Sequence, residues 1–347
     1  MTSILVVTDT WKPQVNGVVR SLENTIGELV AMGVRVELLS PGEFLTLPCP
    51  SYPDIRLSLT NRTAIRKRIL ERGCDHLHIA TEGPLGLLAA AAARQIGIPY
   101  TTSYHTRFPE YLAARWPLPV RWSYAWLRRF HNLGSGCMVA TETLMRDLDQ
   151  RGFRNLMPWS RGVDSDLFRP VEDSGLPDDL ARPVFINIGR VAIEKNIEAF
   201  LDLDLPGSKV VVGDGPRLAS LRRKYPDVVF TGEKVGEQLA RLYAGADVFV
   251  FPSRTDTFGL VLLEALSCGV PVAAYPVTGP RDIVGDSGTG VLSDDLRHAA
   301  LSALSIPRAR CRAHALRYSW PSCARQFLEN VFAAQAAHRA VGTETAL

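Results

Sequence analysis

The sequence predicts an α/β protein made of two Rossmann-like, doubly wound parallel-sheet lobes that face a cleft. Three observations carry that expectation. The chain has 347 residues, too many for one comfortable core and about right for two α/β domains. Short β-rich runs alternate with helical patterns across Gly- and Pro-marked connections, the signature of a parallel sheet with crossover helices. The scheme then repeats in the second half. Composition agrees, with 46% apolar and 22% charged residues, as in soluble globular proteins and unlike disordered or collagen-like chains.

In the first half, strands are expected at Ile4–Thr8, Val34–Ser40, His76–Ala80, Pro99–Tyr104 and Cys137–Thr141. Helical patterns fall at Val18–Met32, Pro84–Gln95 and Thr143–Arg151. In the second half, Val184–Val191, Lys209–Gly213, Val228–Thr231, Val248–Pro252 and Val272–Ala274 read as strands. Helices are expected at Pro216–Lys224, Glu237–Ala244 and Gly259–Cys268, and one long Ala-rich helix follows Pro321 to about residue 340. Pro170, Pro177 and Pro183, with Asp173, Asp178 and Asp179 among them, break the pattern. The predicted division is a first lobe at 1–165, a linker at 166–182 and a second lobe at 183–319, with helix 320–340 packing back on the first lobe. Ligands of such sheets bind at the C-terminal ends of the strands.

Charge and cysteine usage exclude several classes. A formal charge of +3 is too small to argue for nucleic acid, and none is expected as a partner. The six cysteines form no C-x-x-C pair and have no histidine at metal-ligand spacing, and read as scattered buried hydrophobes; no cofactor is expected. Ile4–Val7 is a strand-length run without a basic leader, and no apolar run reaches the roughly 18 residues of a membrane span. The expectation is a cytoplasmic protein whose membrane contact is peripheral, on the inner face of the cell membrane.

The strongest chemical signal follows the strand Val248–Pro252, where the turn Ser253–Phe258 runs into the helix from Gly259. Asp256 sits on that turn and Glu264 two helical turns further on, beside a helix N-terminus suited to phosphate or sugar oxygens. Residue type alone also fits plainer roles, Asp256 as an N-cap and Glu264 as a surface carboxylate. Asn187–Asn196 is a strand ending at Gly189 with Arg190 and Lys195 just beyond, two cations placed for an anion or else merely solvated. Val212–Pro216 is a further glycine turn, around Gly213, that lacks the full dinucleotide fingerprint. At the N-terminus, Asn16 and Gly17 open the first long helix. His105 follows the strand Pro99–Tyr104, and Arg161–Asp164 lies at the crossover.

In this order, Pro13–Val19, Tyr104–Thr106, Arg161–Asp164, Gly189–Asn196, Val212–Pro216 and Asp256–Glu264 resemble the retaining glycosyltransferases of family 4, which have the GT-B fold. The resemblance spans nearly the whole chain. It implies an E-x7-E motif whose first carboxylate, here Asp256, faces the donor sugar and whose second, Glu264, faces the ribose. It also places Gly189, Gly213, Phe258 and Gly259 at the donor, Arg190 and Lys195 on its diphosphate, and Gly17 near phosphate or acceptor. His105 would lie beside the sugar and the incoming hydroxyl, so His105, Arg190, Lys195 and Asp256 form the implied catalytic set. Two positions depart from the family pattern: Asp replaces the first Glu, and Asn16-Gly17 replaces paired glycines. The implied reaction moves a hexose from a UDP- or GDP-linked donor, retains configuration and needs no metal. The D-x-D pairs Asp147/Asp149, Asp164/Asp166 and Asp202/Asp204 do not follow a strand as a metal-binding pair would.

Two first-lobe segments point to an anionic membrane surface, and the resemblance, whose members contact lipid acceptors through this region, implies a lipid acceptor. Asn61–Arg72 holds five cations against Glu71, a local charge of +4. Leu118, Trp122, Trp126 and Phe130 fall on one i, i+4 stripe flanked by Arg121, Arg128 and Arg129, and Trp116 lies nearby. Aromatic and basic residues on one amphipathic helix suit anionic lipid, although the same stripe fits a helix packing into the lobe. A soluble sugar or polyol acceptor, and a nucleotide-sugar-binding protein without catalysis, remain alternatives.

Overall fold

The computed structural model describes residues 2–14, 16–49, 52–113 and 119–344. Val15, Trp116 and Leu118 lie outside the described residues. Two compact units are formed, Met1–Ser160 together with Trp320–Leu347, and Arg161–Ser319. Residues 166–182 belong to the second unit.

In the first unit, β1 (Ser3–Val7), α1 (Gly17–Ala31) and β2 (Arg35–Leu39) are followed by a hairpin of β3 (Leu45–Cys49) and β4 (Tyr52–Leu59). Then come α2 (Arg62–Arg72), β5 (His76–Ile79), α3 (Pro84–Ile96), β6 (Tyr100–Tyr104), α4 (Phe108–Ala113) and α5 (Val120–His131). The unit continues through β7 (Gly136–Val139), α6 (Glu142–Gln150) and β8 (Leu156–Pro158). Its six-stranded sheet runs β2-β1-β5-β6-β7-β8, parallel throughout. All of β1, β5, β6 and β7 is buried, which is why these segments read as continuous runs rather than alternating ones.

The second unit holds β9 (Val184–Ile188), α7 (Glu198–Leu201), β10 (Ser208–Val212), α8 (Leu218–Lys224), β11 (Val229–Gly232) and α9 (Gly236–Gly245). After these come β12 (Val248–Phe251), α10 (Leu260–Ser267), β13 (Val272–Ala274), α11 (Pro280–Ile283), β14 (Gly290–Leu292), α12 (Leu296–Ala303) and α13 (Arg308–Ala315). Strand order is β11-β10-β9-β12-β13-β14, again parallel. Numbered within the unit this is 3-2-1-4-5-6, the dinucleotide-fold order, which reverses direction between β9 and β12. Arg312 holds the start of this unit in place, donating to the carbonyls of Ser165, Phe168 and Ser267 at 2.7–2.9 Å.

The final helix, α14 (Trp320–Glu344), packs against α1 in the first unit. Its Phe327 is 1% exposed and meets the rings of His78 and Trp159 at 4.7 and 5.1 Å between centroids. Truncating a buried phenylalanine removes both its transfer energy and its packing contacts. Phe327→Ala is therefore expected to lower unfolding stability by about 3–5 kcal/mol, measured by urea denaturation. A loss below about 1 kcal/mol would show a helix that only lies against the unit.

Candidate functional site

Strands β9 and β12 pair at two positions only, Val248 with Phe185 and Phe249 with Ile186. Beyond that point side chains connect them. The Asn187 amide donates to the Val250 carbonyl at 2.9 Å, and the Asn196 amide donates to the Pro252 carbonyl at 3.1 Å. Further out, Lys195 Nζ meets Asp256 Oδ1 at 2.5 Å. The two loops that leave the switch point of the sheet are thus brought together through Lys195 and Asp256.

Asp256 is not a helix cap. Gly259, at φ +88, occupies the position before α10, a left-handed conformation that suits glycine. The Asp256 side chain is 16% exposed, and its Oδ2 is buried without a hydrogen-bond partner among the described residues. Phe258, two residues on, is buried. Glu264 is not a surface carboxylate: it is 3% exposed on α10 and accepts from the Tyr243 hydroxyl of α9 at 3.0 Å. The structure therefore gives Asp256 and Glu264 different surroundings, one on the turn with Lys195 and one inside the helix layer.

Around β9 the glycines allow close backbone approach. A Cβ on Gly213 would lie 2.0 Å from the Gly189 carbonyl oxygen, so the turns after β9 and β10 touch only because residue 213 has no side chain. Gly189 donates to the Val212 carbonyl at 3.0 Å, and Val191 donates to that of Asp214 at 2.8 Å. Arg190 projects from this turn as an exposed residue. Lys195 lies in a short 3-10 turn ending at Asn196, which has φ +52.

In the first unit, the switch point lies between β1 and β5. Asn16 caps α1, accepting from the amides of Val18 and Val19 at 3.0 Å each, and its amide donates to Thr10 Oγ1 at 3.0 Å. Gly17 is the first residue of α1 and is exposed. His105 directly follows β6, with its ring 5.7 Å from that of the buried Trp159.

Sequence reasoning missed three polar residues at this edge. Asp9 is 5% exposed and accepts from the amides of Leu85 and Gly86, at the start of α3, at 2.7 and 3.1 Å, and from Thr81 Oγ1 at 2.9 Å. Burial raises its pKa, opposed by those amide hydrogen bonds. His131 is fully enclosed, with Nδ1 2.8 Å from Thr102 Oγ1 and Nε2 3.2 Å from Glu82 Oε1. Burial alone would lower its pKa, but contact with Cys137 and Glu82 outweighs this and pushes it up to about 10. The signal for Asp9 was its place immediately after a buried strand; nothing in the sequence pairs His131 with Glu82.

On α5, the i, i+4 stripe divides. Trp122 and Trp126 are 63% and 43% exposed, whereas Phe130 is buried beside Tyr124, Leu127 and His131. Each i+4 step on a helix advances by about 40° around the axis, so the two steps from Trp122 to Phe130 turn a residue by about 80°, from solvent to core. Arg128 donates to the Arg151 carbonyl at 3.0 Å, and Arg121 and Arg129 are exposed. On α2, Arg68 and Arg72 bind Glu43 at 2.7 and 2.6 Å, so the local charge read from sequence is partly neutralised. The D-x-D pairs are placed as structural groups. Asp147 binds Arg107 and Arg151, Asp164 accepts from the amides of residues 166 and 167, and Asp202 and Asp204 follow α7.

Comparison with known proteins fits this geometry. The family model for Glycosyltransferase Family 4 matches residues 15–167, and that for Glycosyl transferases group 1 matches residues 182–305. The GDP-mannose-dependent alpha-mannosyltransferase of Mycobacterium tuberculosis is 30% identical over 315 residues, 83% of each chain. The alpha-monoglucosyldiacylglycerol synthase of Streptococcus pneumoniae is 28% identical, over 86% of this chain and 77% of that protein. Among solved structures, sucrose-phosphate synthase from Thermosynechococcus elongatus matches with a TM-score of 0.75 at 20% identity, over 95% of this chain and 98% of that one. With two parallel six-stranded sheets of this order and both family models matched, the chain belongs to the family 4, group 1 glycosyltransferases and has the GT-B fold.

Proposed function

We propose that this glycosyltransferase moves a hexose of glucose, glucuronate or mannose type from a UDP- or GDP-linked donor to a membrane-lipid hydroxyl such as that of diacylglycerol. Configuration is retained and no metal takes part. The observation that carries the donor half is the Lys195–Asp256 pair at the carboxyl ends of β9 and β12, with Asp256 Oδ2 unpartnered. A buried carboxylate oxygen without a donor is costly, and a sugar hydroxyl supplies one. Arg190 and Lys195 take the diphosphate, and Glu264 takes the ribose hydroxyls. Gly189, Gly213, Phe258 and Gly259 shape the backbone around the donor, and Gly17 leaves the start of α1 open to phosphate or acceptor.

In the reaction, the bond from the anomeric carbon to the diphosphate oxygen breaks, and a bond to the acceptor oxygen forms on the same face. The acceptor's proton passes to the departing phosphate oxygen, releasing nucleoside diphosphate and glycoside. Negative charge grows on the diphosphate, and fixed cations are worth most where charge develops. His105 orients the hydroxyl beside the sugar.

The lipid half rests on α5, where Trp122 and Trp126 face solvent with Arg121, Arg128 and Arg129 around them. Such a surface suits a peripheral contact with the inner face of an anionic membrane, with Asn16 near the acceptor. No helix among the described residues is long and apolar enough to cross a membrane.

Donor turnover with a lipid acceptor is expected to persist in excess EDTA, followed by release of nucleoside diphosphate. Loss that magnesium or manganese restores would contradict the metal-free reading. Arg190→Ala and Lys195→Ala should each lower turnover by roughly two to three orders of magnitude, the scale of one preorganised donor to a developing anion. Activity within about twofold of the parent would return both to ordinary surface charges.

Trp126→Ser tests the membrane contact. Because Trp126 is 43% exposed, against 5% for Phe130 on the same helix, the melting temperature should change little, while binding to anionic vesicles falls. A drop of several degrees with parental vesicle binding would make α5 a structural helix and move the acceptor toward soluble sugars.

A further inference from the structure

The β3–β4 hairpin turns its apolar side to water. Its register sets Leu45 opposite Leu59 and Leu47 opposite Leu57, and alternation along each strand puts these four side chains on one face. Leu45 is 81% exposed, and Leu47 and Leu59 are 54% exposed each. On the other face, Ser58 is buried and Thr46 half-buried. A ribbon lying on a protein surface in water usually does the reverse, apolar side inward. Contiguous exposed leucines on a soluble unit mark a contact surface.

The neighbouring helix indicates what covers it. Helix α2 begins three residues after Leu59, and Arg62, Arg66 and Leu70 stand at i, i+4 spacing along it, all exposed. The helix's other arginines turn the opposite way. Arg68 and Arg72 both reach Glu43, in the 3-10 turn that leads into β3, at 2.7 and 2.6 Å. Those ion pairs hold α2 against the base of the hairpin and leave Arg62 and Arg66 on its outer side. Leucines that need an apolar medium, on a hairpin whose base is tied to the helix that carries guanidinium groups needing anions, match the boundary between acyl chains and phosphate headgroups.

We propose that the leucine face of the β3–β4 hairpin is a second membrane contact of the first unit, set at the acyl boundary with Arg62 and Arg66 on headgroup phosphates. This rests on the lipid-acceptor reading above but uses an element separate from α5. One contact would let the unit pivot about α5; two would fix its tilt over the bilayer.

The test is co-sedimentation of the full chain with phosphatidylglycerol/phosphatidylcholine vesicles, compared with the triple variant Leu45→Ser/Leu47→Ser/Leu59→Ser. Vesicle affinity should fall at least tenfold at both low and high salt, with donor hydrolysis and melting temperature as in the parent. Arg62→Glu/Arg66→Glu should lose binding to anionic vesicles at low salt only. If the parent binds and the triple variant binds within twofold of it, the hairpin inference fails while the α5 contact stands. If the parent does not bind vesicles at all, both fall. A triple variant that turns a dimeric parent into a monomer at unchanged vesicle affinity would make the face an interface between two copies, and overturn the proposal.

Discussion

Strands β9 and β12 pair at only two positions, and the candidate site takes its form from where they part. Backbone groups freed at such a fork need other partners. Asn187 and Asn196 supply them, each donating a side-chain amide to a carbonyl of the β12 segment. The fork coincides with the reversal of strand order, where both following loops turn outward and amides and side chains gather without a strand between them. Lys195 and Asp256 then join the loops. The pair keeps two charges poised at the mouth of the fork, each partly desolvated and neutralised by the other.

The first unit treats the same point of its sheet differently. There Asp9, at the end of β1, takes the Leu85 and Gly86 amides at the start of α3. A Cβ on Gly83 would come within 2.4 Å of the Asp9 carboxyl carbon, so that close fit depends on glycine. The positive end of α3 is already met by an internal carboxylate. A cation–carboxylate pair stands at the switch point of one sheet and a carboxylate held by backbone amides at that of the other, with Glu82 bound to His131 nearby. The two sheets also differ in strand order, 2-1-3-4-5-6 in the first unit and 3-2-1-4-5-6 in the second when strands are numbered within each sheet.

The alternation of strands and helices was legible because a parallel sheet covered on both faces leaves unbroken apolar runs, as in Ser3–Val7 and Val184–Ile188. The turns at Gly189, Gly213 and Gly259 were legible because each has positive φ, which favours glycine. The β3–β4 hairpin was not, since Leu45-Thr46-Leu47-Pro48 offers only a short alternation and ends on a proline. Strands β8 and β14, three residues each and at the sheet edges, fall below any useful pattern length. At the candidate site, spacing found Lys195 and Asp256 but not that they would pair, because 61 residues separate them. Helical periodicity put Glu264 on α10 without showing that Tyr243, from another helix, would meet it.

The hardest feature to read from sequence is which side of an amphipathic element faces inward. Period alone gives a stripe; burial then chooses the side, and the choice depends on neighbours far along the chain. On α5 the core takes Tyr124, Leu127 and Phe130, so the tryptophans on the same helix are left to solvent. On the hairpin the core side is polar and small, with Ser58 beneath, and the leucines are left outside. Neither arrangement maximises burial, and a sequence optimised only for folding in water would exchange these faces. Local choices that conflict with solution stability tend to sit where another phase or a ligand completes the structure. Both conflicts in the first unit leave large apolar side chains beside arginines, one chemistry reached by a helix and by a hairpin.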